Sequence, residues 1–388
     1  MQVTDRFYLN IESIAFGGEG VGRIDNFVVF VPFSAPGDVV ETEISEAKKK
    51  FARGRLIRVE KPSPWRVPAR CSYFGKCGGC NYQHIIYPEQ LKIKTKQVEE
   101  VFRRIGKMET PPVQRIIASP EIYAYRGKAQ FHAVQTPRGL KIGFMDTSGG
   151  KVVDIKRCEI MEESINDQLR RWRNRREFPL RDGLIIWSQA SAGETKDTDA
   201  VRRTVLGREL LAAGGGFFQA NLWLTDRLVE EVCRLAGKEK VGTIVDAYCG
   251  SGLFSIFLAC LAEQVIGIEQ SCESVKYARV NAARWGARNI EFIADDVETV
   301  FRQAAIRRDK RLDLLVLDPP RTGCPQSLLA EIAGRDIRKI IYISCNPATQ
   351  ARDIKFLAGC GYSVVELLPL DMFPQTQHIE VLALLIRR

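Results

Sequence analysis

VGTIVDAYCGSGLFS, residues Val241 to Ser255, is the stretch on which the reading of this chain turns. An apolar run ends at the carboxylate Asp246 and passes through Gly250 and Gly252 into a second apolar run. Glycines at such a turn let the backbone approach a ligand closely, as in the first strand-to-helix unit of a doubly wound sheet. Outward from it the same alternation repeats. QVIGIE (264–269), NIEFIA (289–294), LDLLVLD (312–318) and RKIIYIS (338–344) are further strand candidates, separated by amphipathic stretches such as SCESVKYARVNAARWG. The spacing predicts an α/β domain over residues 206–388, a doubly wound, Rossmann-like parallel sheet with its ligand at the carboxyl ends of the strands.

The second strand candidate ends at Glu269, nineteen residues after Gly250, where a carboxylate can accept hydrogen bonds from ribose hydroxyls. The third glycine of a dinucleotide fingerprint is missing, because Phe254 and Ser255 occupy that region. No cradle for a pyrophosphate is apparent, so S-adenosylmethionine is favoured over a dinucleotide. Asp296, after the third strand, is placed to contact the adenine. Asp318 leaves the fourth strand into the same crevice, with Pro319 and Pro320 stiffening the exit. Amino-group methyltransferases carry an aromatic fourth residue in a similar tetrapeptide; here it is Arg321.

The chain has 388 residues, 45% hydrophobic and 27% charged, which is a globular balance. No window of about 18 residues is apolar enough to span a membrane. MQVTDRFYLNIESI lacks the order of a signal peptide, so a cytoplasmic protein is expected, and a monomer. Eleven cysteines, an odd number, argue against a disulfide framework. The net charge is +10 and unevenly spread: nine basic residues lie between Lys48 and Arg70, and Arg170, Arg171, Arg173, Arg175 and Arg176 form a second cluster. Two basic clusters flanking a cysteine-rich segment point to a polyanion, most simply nucleic acid.

Residues 1–60 alternate apolar and polar positions around the turns GGEGVG and PGD, which predicts a small five-stranded, OB-like β-barrel, either an RNA holder or a spacer. Three prolines in KPSPWRVPARC set a boundary near residue 61. A central α+β domain is expected over 61–205. Its helix at about 88–106 is expected to pack on the C-terminal domain. CSYFGKCGGC holds Cys71, Cys77 and Cys80, and Cys158 is a fourth candidate ligand in DIKRCEI. Four thiolates suit tetrahedral zinc or a 4Fe-4S cluster, and the spacing does not separate the two.

CSYFGKCGGC with Cys158, GGGFFQAN, VDAYCGSG, LDPPRTG, YISCNPAT and MFPQTQHIE occur in this order, and together they resemble the RNA uracil-5-methyltransferase family. The N-terminal barrel resembles a TRAM domain, common in the ribosomal RNA branch. The resemblance implies that Cys71, Cys77, Cys80 and Cys158 hold a 4Fe-4S cluster. It implies that Gln219, Tyr248, Glu269, Asp296 and Asp318 line the S-adenosylmethionine pocket, that Cys345 is the nucleophile and that Glu380 is the general base. Leu253 departs from the polar residue the family commonly has after its GxG. The expected substrate is a uridine of 23S ribosomal RNA. The alternatives are a tRNA uridine, or a noncatalytic RNA-binding iron-sulfur protein.

The implied chemistry is consistent with the residue types. Carbon 5 of uracil is a poor nucleophile until a thiolate adds to carbon 6, and a base must later remove the carbon 5 proton. Asn346 is a preferred N-cap and Pro347 suits the first helical position, so a helix start is expected behind Cys345, favouring its thiolate. Partial burial beside VLALLI would raise Glu380 toward a useful base. The target base must leave its stack to reach Cys345.

Overall fold

The computed structural model describes residues 2–137, 139–174, 184–189, 200–214, 216–303 and 312–388. Arg175 and Arg176 of the second basic cluster and Gly215 of GGGFFQAN lie outside the described residues. By compactness the chain forms two units. One is Met1–Gln97, Glu121–Ser188 and Phe373–His378; the other is Val98–Pro120, Gln189–Met372 and Ile379–Arg388. No described helix is long and apolar enough to cross a membrane.

The first unit opens with β1 (Arg6–Asn10), β2 (Ser13–Ile14), β3 (Glu19–Ile24), β4 (Phe27–Pro32), β5 (Val39–Ala47) and β6 (Phe51–Lys61), in the order β1-β5-β6-β4-β3-β2. The sheet therefore has six strands where five were expected, because the two-residue β2 is too short to show an alternation. Inward-facing Leu9, Val29, Val31, Val40, Ile44 and Ala52 form its core. Asp25 and Asn26, at φ 49° and 67°, join β3 to β4 in the left-handed geometry that tight hairpins need.

On the outer face several residues of the first basic cluster are paired. Arg53 pairs with Glu19 and Glu46, Arg55 with Glu43, Arg58 with Glu41 and Glu60, and Lys48 with Glu46. The antiparallel register of β5 against β6 sets Glu41 opposite Arg58 and Glu43 opposite Arg55, so each of these two arginines faces a carboxylate.

Farther along, α1 (Tyr87–Arg104) is followed by β7 (Lys128–Thr136), β8 (Gly139–Met145) and β9 (Val152–Asp154). Beyond α2 (Glu163–Arg173) comes β10 (Leu184–Gln189), giving a sheet ordered β10-β7-β8-β9. Ile165 and Leu169 of α2 pack with Phe131, Ile142 and Ile155, and its last turn carries Arg170, Arg171 and Arg173. Arg170 pairs with Asp167, and Arg173 with Asp154.

In the second unit the hairpin β11 (Ala200–Val205) and β12 (Arg208–Ala213) leads to α3 (Thr225–Ala236). A seven-stranded sheet follows: β13 (Val241–Ala247), β14 (Ala262–Glu269), β15 (Ile290–Ala294), β16 (Leu312–Leu317), β17 (Ile337–Ser344), β18 (Tyr362–Leu370) and β19 (Glu380–Arg387). Its order is β15-β14-β13-β16-β17-β19-β18, with β13 to β17 parallel and β19 antiparallel to both neighbours. The strand order reverses between β13 and β16, which is where such sheets open a crevice. The connecting helices are α4 (Leu253–Leu258), α5 (Cys272–Arg284), α6 (Val297–Arg302), α7 (Gln326–Ala333) and α8 (Pro347–Gly359). Val98, Val101 and Phe102, at the end of α1, join this unit's core with Leu315, Ile340 and Leu357. The five strands expected in this region are present, and the antiparallel β18-β19 pair is an addition to them.

Candidate active site

The turn after β13 is built by backbone conformation. Tyr248, Gly250 and Gly252 have φ of 65°, 54° and 82°. A Cβ on Gly252 would also meet Phe292 Cζ at 3.2 Å, so only glycine fits there. Gly250 N–H donates to Glu269 Oε2 at 3.1 Å, and Ser271 N–H to Glu269 Oε1 at 2.8 Å, so this carboxylate also holds the turn. Asp246 Oδ2 accepts from Ser255 Oγ at 2.5 Å, whereas Asp246 Oδ1 and Ser251 Oγ are buried and have no partner. Unsatisfied buried oxygens at the strand ends are costly unless a ligand meets them. Asp246 and Ser251 were not among the predicted contacts, because an unmet hydrogen bond leaves no trace in sequence. Burial pushes the Asp246 carboxyl up to about 7.

Gln219 and Asp318 meet at the same crevice, Gln219 Nε2 donating to Asp318 Oδ2 at 3.4 Å. Tyr248 is half-buried, with Asp296 among its charged neighbours, and its hydroxyl is pushed well above the usual tyrosine range by burial. Asp296 is the N-cap of α6, accepting from Thr299 N–H at 3.0 Å. Leu253 is buried.

Behind Cys345 the helix starts as its sequence predicts. Asn346 Oδ1 accepts from Ala348 N–H at 3.2 Å, and Pro347 takes the first position of α8. The thiolate is not favoured, however. Burial first, then the Glu380 carboxyl, push the Cys345 thiol up to about 12, with Arg321 pulling the other way and Asp318 adding to the rise. The partial charge of a helix N-terminus is small beside the desolvation of a half-buried thiolate. Glu380, at the start of β19 and 4% exposed, is held well above the carboxylate range by burial and by Asp318. Asp318 itself is pushed up to about 7 by burial and by Asp246. Cys345, Glu380, Asp318 and Arg321 thus form one electrostatic group at the ends of β16, β17 and β19. Arg321 had been noted only for replacing an aromatic residue; its charge beside the thiol becomes evident in the fold.

In the first unit, Cys71, Cys77, Cys80 and Cys158 line a single cavity of about 270 Å³. Gly78 N–H donates to Met145 O at 3.0 Å and Lys156 N–H to Tyr73 Oη at 3.0 Å, stitching the cysteine loop to β8 and the segment after β9. Cys158 N–H donates to Asn166 Oδ1 at 2.9 Å, and Asn166 Nδ2 returns a bond to Cys158 O at 3.2 Å. Burial raises all four thiols, Cys158 to about 12, and Cys77, Cys80 and Cys158 each feel at least one of the others. Among the described residues no three His, Cys, Asp or Glu side chains are grouped to hold one metal ion.

Comparison with known proteins adds the following. The profile of the tRNA (uracil-5-)-methyltransferase family matches residues 197–388, and that of the TRAM domain matches residues 5–57. An uncharacterised RNA methyltransferase of Clostridium acetobutylicum is 31% identical over 98% of this chain and 97% of its own. A tRNA (uracil(54)-C(5))-methyltransferase of Schizosaccharomyces pombe is 32% identical over 96% of this chain and 76% of its own. A solved structure, the tRNA (uracil-54, C5)-methyltransferase of Pyrococcus abyssi in complex with S-adenosyl-L-homocysteine, aligns with a TM-score of 0.72 at 24% identity. It covers 98% of this chain and 100% of that one, a likeness of fold.

Proposed function

The chain belongs to the tRNA (uracil-5-)-methyltransferase family and carries a TRAM domain, and from that premise we propose that it methylates carbon 5 of one uridine in RNA through a covalent adduct at Cys345. The observation that carries the reading is the group formed by Cys345, Glu380, Asp318 and Arg321 beside the turn at Gly250.

S-adenosylmethionine, when bound, supplies a methyl group on a cationic sulfur. The residues fit it: Asp246 Oδ1 and Ser251 Oγ await partners, and Glu269, Asp296 and Asp318 stand at successive strand ends. Gln219 and Tyr248 line the same crevice. Cys345 gives its thiol proton to solvent and bonds carbon 6 of the uracil as thiolate; the C5–C6 π bond breaks and its electron pair passes to carbon 5 and the ring carbonyl. After the methyl group arrives there, Glu380 takes the carbon 5 proton, the electron pair of that bond re-forms the ring double bond, and the Cys345 sulfur leaves as thiolate. A carboxyl raised by burial and a like-charged neighbour is a stronger base than a free glutamate, which suits that proton transfer. Arg321 favours the thiolate that attacks and departs.

The test of the reading is Cys345→Ala with labelled S-adenosylmethionine and RNA from cells lacking the protein. No transfer is expected, and wild-type turnover would end the nucleophile assignment. RNA containing 5-fluorouridine should trap the parent protein in a complex stable to denaturing electrophoresis, because carbon 5 then has no proton to lose.

The target RNA has two readings. The N-terminal barrel favours 23S ribosomal RNA; the similarity to proteins named for tRNA uridine 54, one of which covers the barrel too, favours tRNA. Mass mapping of 5-methyluridine in both RNAs from cells lacking the protein decides between them.

Cys71, Cys77, Cys80 and Cys158 are proposed to hold a 4Fe-4S cluster. What supports it is that the four thiols line one cavity, where ligation would relieve the cost of burying them. The group would tie Cys158 to the 71–80 loop. Iron content and visible absorbance of anaerobically purified protein check it, with zinc as the contrary result.

A further inference from the structure

Loop 319–325, which follows Asp318, is fastened along its length to the first turns of α8, the helix that begins behind Cys345. At its near end the Arg321 carbonyl accepts from Asn346 Nδ2 at 3.0 Å and from Thr349 Oγ1 at 3.2 Å. Farther along, Cys324 N–H donates to Asp353 Oδ2 at 2.9 Å, and Arg352 Nη2 donates to the Thr322 carbonyl at 3.0 Å. Asp353 is 1% exposed and accepts two more bonds, from Tyr342 Oη at 2.7 Å and Arg352 Nε at 2.8 Å. The fit is close: a Cβ on Gly323, at φ +77°, would come within 2.5 Å of Asp353 Oδ2.

A connection that only joined β16 to α7 would not need a buried carboxylate. Burying one is expensive, and it persists here because three donors on three separate elements converge on it. One of those donors belongs to the strand that ends at Cys345, one to the loop that begins at Asp318, and one to α8 itself. Parallel strands fix where β16 and β17 end, but not the backbone beyond them. These bonds tie it to α8, beside a turn closed by Gly323 N–H on the Pro320 carbonyl at 2.9 Å.

We infer that Asp353, with Thr349 as a second point of attachment, is a positioning residue that sets where Asp318 and Arg321 stand relative to the Cys345 sulfur. The inference rests on the proposed roles of Cys345 and Asp318.

The test uses the full chain and steady-state methylation of uridine-containing RNA. Asp353→Asn keeps the side-chain shape and removes the charge, Thr349→Val keeps the volume and removes the hydroxyl, and Thr349→Ser restores it. Asp353→Asn should lower kcat about 10- to 100-fold, since a displacement of an ångström at reacting groups costs that much, with the KM for S-adenosylmethionine within about twofold. Thr349→Val should lower kcat several-fold and Thr349→Ser should recover it. A folded Asp353→Asn with parental kcat, or Thr349→Val and Thr349→Ser that behave alike, overturns the inference. If Asp353→Asn does not fold, the Thr349 pair decides. Failure of the underlying reading looks different: Cys345→Ala would still methylate, which removes the premise for Asp353 as well.

Discussion

The Cys345 thiol stands beside the Glu380 carboxyl, brought there from thirty-five residues away by the antiparallel pairing of β17 with β19, which sets Ser344 opposite Val381. Burial, and then that neighbour, hold the thiol up to about 12. The free protein therefore keeps Cys345 protonated at neutral pH. Alkylation of Cys345 by iodoacetamide, followed by peptide mass mapping, should be slow at pH 7.5 and still rising above pH 9. The exposed Cys260, Cys272 and Cys360 should react ahead of it at neutral pH. A rate at Cys345 that levels off below pH 8 would show a thiol that the fold has activated in advance.

Glu380→Gln separates attack from elimination. The amide keeps the shape at the start of β19 but cannot accept the carbon 5 proton. Turnover should fall on the order of 10² to 10⁴-fold, the range for loss of a general base, while a protein-RNA adduct builds up on ordinary uridine RNA. Free RNA on a denaturing gel, with turnover equally low, would assign the step to another residue.

Asp246 and Asp318 link the site to pH. Both are pushed up to about 7 from the ordinary aspartate value near 3.8, mainly by burial. Between those pH values the folded protein holds protons that the unfolded chain releases, so this contribution to stability is full below about pH 4 and lost as pH rises through about 7. Thermal melts of the cofactor-free protein should show that decline once other groups are controlled for with Asp246→Asn. A cationic sulfonium beside these carboxyls favours their ionised forms, so cofactor binding should expel protons. Calorimetry at pH 6.5 in two buffers of different ionisation enthalpy checks the sign; equal heats would place both carboxyls away from the cofactor.

Much of the fold was legible because the parallel strands are buried on both faces and read as near-continuous runs such as VGTIVDA and KIIYIS. The β18-β19 pair was not. VLALLI suits a buried helix as well as a strand, and β18 carries Pro369 and an irregularity at Val364/Glu366. The helix start behind Cys345 was legible because Asn346 and Pro347 act locally. The state of the thiol was not, since the carboxyls that raise it arrive from β19 and the end of β16. The pairs of Arg55 with Glu43 and of Arg58 with Glu41 were hidden for the same reason: both carboxylates lie on β5, and register is a property of the sheet.

Gly267 offers a check on how the sheet supports the cofactor turn. In β14 it pairs with Phe292 of β15, and a Cβ there would come within 2.5 Å of the Phe292 ring and 3.1 Å of Cys249 Sγ. Phe292 cannot give way freely, because it packs with Cys249, Val275 and Ala278 in a closed cluster. It also lies against Gly252, where its ring already limits the space on that side of the turn. The added methyl of Gly267→Ala must therefore displace either the ring or Cys249, which immediately precedes Gly250. Overpacking of this kind costs about 1–3 kcal/mol, so a denaturant midpoint should fall accordingly. Because the displacement is passed to the turn, cofactor affinity should weaken in the folded variant, while Ala at the open position Gly359, at the end of α8, should leave cofactor affinity unaltered and stability no lower. Loss of stability with unaltered cofactor affinity would mean that Phe292 relaxes away from the turn, and that Gly250 and Gly252 hold their conformation without its support.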